Sequence, residues 1–163
     1  MGEYIVKIIN IEKITHKVRR FVVERPEDYT FNPGQATEVA INLEGWKEER
    51  RPFTFTPFIA ILRAQERKGQ VTGNKLIFSN RTSRDIILRE EFERMLGKQF
   101  INTLTEEDQP DYDHRRIDKS FLKDTISDFS QHFYVCGPPS FVADITDALK
   151  QLNAKQDSIV LEE

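Results

Sequence analysis

At residues 51–63 the sequence reads RPFTFTPFIAILR, and this stretch constrains the fold more than any other. Its first half alternates as a strand does, and its second half has the spacing of a helix. No glycine, turn or polar loop separates Thr56 from Pro57. Pro57 suits the first position of a helix, where its missing N–H would have no partner anyway. A strand therefore runs directly into a helix, and the seam divides two kinds of pattern.

Before the seam, residues 3–10, 17–25, 36–43 and 51–56 read as strands, rich in β-branched and aromatic residues. Arg25-Pro26 closes the second, because proline cannot donate to a ladder and biases the preceding residue toward extended geometry. Phe31-Asn32-Pro33-Gly34-Gln35 reads as a turn. After the seam, helices are expected at 57–69, 88–96, 118–127 and 139–152, and strands at 75–80, 99–105, 132–137 and 158–162. That alternation specifies a parallel sheet with helices on its faces. The expected division is a β-rich segment, 1–56, and an α/β segment, 57–163.

Composition narrows the function classes. The chain has 163 residues with a net charge of −3, which gives no case for nucleic acid or an anionic membrane as partner. Cys136 is the single cysteine, so no intrachain disulfide can form and a reducing compartment is expected. The N-terminus lacks the basic-then-apolar order of a signal peptide, and no apolar run approaches the ~20 residues of a membrane helix. A soluble cytoplasmic protein is expected. His16, His114 and His132 lie in three separate segments, with neither a nucleophilic triad nor zinc-ligand spacing. No two glycines are one residue apart, so the glycine-rich phosphate loop of many α/β nucleotide-binding proteins is absent.

Two local signals remain: Arg51-Pro52-Phe53-Thr54, following the PGQ turn, and Tyr134-Val135-Cys136-Gly137-Pro138-Pro139 before the last helix. With LIFSNRTSRDIIL between them and DSIVLEE after them, these motifs occur in the order found in the ferredoxin reductase-like flavoproteins. The chain resembles that family over nearly its whole length, especially the small bacterial NAD(P)H:flavodoxin or ferredoxin reductases. The resemblance implies a Greek-key β-barrel that binds FAD, then a doubly wound α/β domain that binds NAD(P)H. It implies that Arg51 holds the flavin pyrophosphate, whose oxygens match a guanidinium fork. Pro52 completes that motif, Phe53 stacks on the ring, and Thr54 hydrogen-bonds near the flavin nitrogen that receives hydride. Strand alternation places Arg51 and Phe53 on one face and Thr54 on the other, so the Thr54 hydroxyl must act through a local twist or from the edge.

The resemblance also places Cys136, Gly137, Pro138 and Pro139 beside the nicotinamide, with Cys136 near its reactive carbon. The residues alone read equally as a buried cysteine and a stiff turn. Asn80, Arg81 and Thr82 match the region where the family reads the adenosine end; Arg81 suits a 2′-phosphate, or is an ordinary exposed loop arginine. His114-Arg115-Arg116 could receive an acidic carrier protein, or be a solvated charge cluster. Flavodoxin or ferredoxin is the implied electron carrier, with no nucleic-acid or membrane partner.

Against the family, several dozen residues look removed between Thr56 and Pro57: the rest of the barrel, the first strand of the α/β sheet and its glycine-rich turn. The sheet would then carry an empty strand position beside two unpaired edges. The chain could be the ordered part of a longer protein, a deletion, or a short protein with a rearranged sheet. Two functions follow as alternatives: an FAD-dependent NAD(P)H oxidoreductase, or an inactive remnant that binds nucleotide or protein weakly.

Overall fold

The computed structural model describes residues 3–30, 36–54 and 57–161. In chain order its elements are β1 (Ile8–Lys13), β2 (Arg19–Val23), β3 (Ala36–Val39), β4 (Arg51–Thr54), α1 (Pro57–Arg67), β5 (Leu76–Asn80), α2 (Arg89–Leu96), β6 (Phe100–Leu104), α3 (Lys119–Thr125), β7 (Phe133–Val135), α4 (Pro139–Gln151) and β8 (Ile159–Leu161). β4 is described to Thr54 and α1 opens on Pro57, so the seam residues 55 and 56 lie outside the described residues. The expected turn at 31–35 lies outside the described residues.

The strand expected at 3–10 lies further along, at Ile8–Lys13. The hairpin turn decides this. Ile14 N–H donates to Val18 O at 3.1 Å, and Thr15 Oγ1 accepts from Val18 N–H at 3.1 Å. That turn draws Lys13 opposite Arg19 and Glu12 opposite Arg20, where the two side chains form an ion pair.

Contacts divide the chain into two compact units that interleave in sequence: Met1–Leu76 with Arg84–Phe100, and Ile77–Ser83 with Ile101–Glu163. In the first unit β1 pairs antiparallel with β2, and β3 with β4. With its missing segment the resemblance implies only part of a barrel, and among the described residues no barrel closes. The physical reason is strand number: a two-stranded ribbon cannot curl onto itself to enclose a core. Ile8, Ile11, Phe21 and Val23 accordingly stay about half exposed. The buried apolar side chains of this unit come from its helical part: Ile59 and Leu62 on α1, Ile86, then Phe92, Met95 and Leu96 on α2, and Phe100. The Phe92 and Phe100 rings meet with centroids 5.2 Å apart. Leu88 adopts a left-handed conformation, φ 50°, so α2 starts at Arg89 rather than at 88.

In the second unit β5 pairs with β6, and β7 runs parallel to β8 through the α4 crossover. The resemblance implies a doubly wound sheet interrupted where its first strand is missing; the structure has two separate pairs, β5–β6 and β7–β8. The core under them follows from α4, whose Phe141, Val142, Ile145, Ala148, Leu149 and Leu152 recur with helical spacing. Ile145, Ala148 and Leu149 pack with Leu122 and Ile126 of the α3 region and with Val135 of β7. Ile77 of β5 reaches the same cluster. Asp118 caps α3, its carboxylate accepting from Phe121 N–H at 2.8 Å. None of the helices among the described residues is long and apolar enough to cross a membrane.

Candidate nucleotide-binding site

β7 ends at Val135, and the chain turns through Cys136-Gly137-Pro138 into α4. Pro139 takes the first helical position, where proline costs no hydrogen bond. Gly137 has φ 157°, and a Cβ there would lie 2.8 Å from Cδ1 of Phe141 one turn along. Only glycine lets the chain pass this close to the ring. Gly137, Pro139, Val142, Ala143, Thr146, Asp147 and Leu161 line an open groove of about 430 Å³. Its walls are apolar apart from Asp147 and Thr146, whose buried Oγ1 has no hydrogen-bond partner. Cys136 is half-buried beside it.

The other expected nucleotide contacts follow β5. Asn80 O accepts from Thr105 N–H at 2.9 Å, while the buried Nδ2 of Asn80 has no partner. Arg81 O accepts from Glu106 N–H at 2.9 Å, and its guanidinium pairs with the Glu106 carboxylate at 3.6 Å. Thr82 is half-buried in the turn that follows. Thus Asn80, Arg81, Thr82, Cys136, Gly137, Pro138 and Pro139 all belong to one compact unit, at the carboxyl ends of β5 and β7. That end of an open α/β sheet is where ligands bind. An unpartnered buried amide and a groove that tolerates only glycine at its entrance fit a nucleotide.

The RPFT motif belongs to the first unit. Its backbone forms β4, with Thr54 opposite Ala36, Phe53 opposite Thr37, Pro52 opposite Glu38 and Arg51 opposite Val39. Among the described residues β4 pairs only with β3, and an edge strand tolerates Pro52. The roles expected of the Arg51, Phe53 and Thr54 side chains lie outside what the structure describes.

Two residues of the basic run at 114–116, His114 and Arg115, are engaged with neighbouring groups. Arg115 hydrogen-bonds Asp113 at 2.8 Å and Asp124 at 2.6 Å, and its guanidinium lies 5.0 Å from the Phe121 ring centroid. The hydrogen bond from Arg115 holds the Asp113 carboxyl below its usual range. His114 meets Asp108 at 2.8 Å and Leu104 O at 3.3 Å. Among the described residues no group of His, Cys, Asp and Glu is arranged to hold a metal ion.

Sequence reasoning missed the residues that complete the site. Val142, Ala143, Thr146 and Asp147 carry no motif, and Leu161 lies in the DSIVLEE segment without having been singled out. Only the helical repeat placing 139, 142, 143 and 146 on one face could have indicated them. Glu106 and Glu107 were legible only as the start of an acidic loop.

The comparisons with known proteins agree with this geometry. The family model described as Oxidoreductase NAD-binding domain matches residues 54–147, from the end of β4 into α4. The fold is that of a ferredoxin reductase-like domain, and the chain belongs to the oxidoreductase NAD-binding domain family. The flavohemoprotein of Bacillus subtilis is 28% identical over 113 residues, which is 64% of this chain and 28% of that protein, so the match spans little more than a quarter of the relative. Among solved structures, the FAD/NAD-binding domain of nitric oxide dioxygenase from Vibrio cholerae superposes with a TM-score of 0.80 at 14% identity, covering 96% of each chain. The ferredoxin NADP+ reductase from Neisseria gonorrhoeae, solved with FAD and NADP, gives 0.75 at 17% identity, again over 96% of each chain.

Proposed function

We propose that the chain is the reductase module of a flavin-dependent oxidoreductase, passing electrons from NAD(P)H through FAD to a flavodoxin or ferredoxin in the cytoplasm. The observation that carries this reading is the turn Cys136–Pro139. It joins a parallel strand to a helix N-terminus, at the mouth of an apolar groove, within a chain of the NAD-binding family. Bound FAD would take hydride from the nicotinamide and release electrons singly. The chain's own residues bind and position. Arg51 neutralises the flavin pyrophosphate, Pro52 stiffens β4, Phe53 packs on the ring, and the Thr54 hydroxyl donates to its edge. Gly137 and Pro138 let the nicotinamide approach the backbone, Cys136 flanks it, and Asn80 and Thr82 contact the adenosine end. The domain division behind this reading is 1–56 for flavin and 57–163 for nucleotide.

A second reading rests on a different observation. β5–β6 and β7–β8 form separate pairs, and the apolar residues of β1 and β2 are exposed. A chain shortened between Thr56 and Pro57, without the central strand and its glycine-rich turn, would do this and would be an inactive remnant. The visible spectrum of the protein, after FAD is added and the excess removed by gel filtration, decides between them. A retained flavin band supports the reductase module; a compact but colourless protein supports the remnant.

A further inference from the structure

Building on the assignment of the β5 end to the adenosine half of NAD(P)H, we infer that Glu106 and Glu107 make this chain select NADH over NADPH. The turn after β5 offers what a phosphate dianion needs, the backbone N–H of Ser83 and the guanidinium of Arg81. Carboxylates of the chain already occupy both. Ser83 N–H donates to Glu107 Oε2 at 2.6 Å, and Arg81 Nε lies 3.6 Å from Glu106 Oε1. The Gln109 amide donates to the second carboxylate oxygen of Glu107 and reaches Ser83 Oγ at 3.4 Å, so Glu107 is held from two sides. The backbone bonds Thr105 N–H to Asn80 O and Glu106 N–H to Arg81 O, each 2.9 Å, fix the acidic segment against the turn.

The charge consequence is direct. A 2′-phosphate entering here would meet two carboxylates and would have to displace Glu107 from Ser83. A ribose 2′-hydroxyl has the opposite requirement: it donates to a carboxylate, which is how an acidic residue recognises the unphosphorylated ribose in dinucleotide folds. Arg81 and Glu106 are both exposed, so their pair adds little to stability; its effect is on the charge a ligand meets.

Isothermal titration of the whole chain with NADH and with NADPH tests this, alongside the E106Q/E107Q variant. Glutamine removes the charge and keeps one acceptor oxygen for Ser83 N–H, while the oxygen that accepts from Gln109 becomes a donor. NADH is expected to bind tighter by about tenfold or more, and the double variant to close that gap by gaining NADPH affinity. Should the pair disturb folding, E106Q alone, at an exposed position, is expected to close part of it. Equal or tighter NADPH binding by the unsubstituted chain would overturn the selection and leave NAD(P) binding standing. An NADH preference that survives both substitutions would overturn the assignment to these residues. If neither dinucleotide binds, the nucleotide-site reading fails with it.

Discussion

Arg63 of α1 grips Glu91 of α2 with two hydrogen bonds, Nε to Oε1 at 2.6 Å and a terminal guanidinium nitrogen to Oε2 at 2.7 Å. This fork geometry is the strong form of the ion pair. The hydrogen bond from Arg63 holds Glu91 below its ordinary pKa of 4.5. A carboxylate whose folded pKa is depressed contributes stability above its unfolded value and loses it as the pH falls through the folded value. Melting temperature is therefore expected to be level near neutrality and to fall below about pH 4.5. Glu91→Gln should flatten part of that fall and cost about 1 kcal/mol at pH 7, after allowance for the partly exposed arginine. A variant as stable as the parent at pH 7, with the same acid limb, would show that the fork contributes nothing.

Gly137 and Phe141 meet closely at the turn into α4. In Gly137→Ala the new methyl would lie 2.8 Å from Phe141 Cδ1, and Phe141 packs against the core cluster of this unit. The expected cost is about 1–3 kcal/mol, from a ring pushed off that cluster. Phe141→Leu in the same chain should recover much of it. Denaturant unfolding of the two single variants and the double variant measures the coupling, and simple additivity would exclude the clash.

Asp118 is the one helix cap with a side-chain bond among α2, α3 and α4. Asp118→Ala leaves Phe121 N–H without its 2.8 Å acceptor and should cost about 1 kcal/mol, with Asp118→Asn costing clearly less. Phe121 and Leu122, both buried, tie that helix start to the core, so the loss should register in global unfolding. Equal stability for both variants would assign no role to the cap.

Thr54 tests the flavin role directly. Thr54→Val keeps the shape and β-propensity of the side chain while removing its hydroxyl. Weaker FAD retention or slower flavin reduction is expected, with melting temperature little changed. Unchanged affinity and reduction rate would remove Thr54 from the site.

Much of this was legible in the residues. Period-two and helical spacing located β2 through β8 and α1 through α4 to within a few residues, because each element buries one stripe or face. The RPFT and CGPP motifs indicated the family before any coordinate, since glycine and proline at a strand-to-helix turn encode backbone geometry directly. β1 was misplaced because the Ile14–Val18 turn, and not propensity, sets its register. A sheet interrupted at its missing first strand came from the family resemblance and not from periodicity, because strand periodicity says that a segment is extended and not which strand lies beside it. Pairing is a long-range contact, and the local alternation could not say that β5 pairs with β6 and β7 with β8. The acidic residues at 106 and 107 could be read only as charge. It took the backbone bonds from Thr105 and Glu106 to the end of β5 to bring those carboxylates onto Ser83 and Arg81. The sequence by itself determined the elements, the family and the two motif turns, because those are local properties of neighbouring residues. Only the tertiary structure decided strand partners, the groove and the carboxylates at the nucleotide turn, because each depends on residues distant in the chain meeting in space.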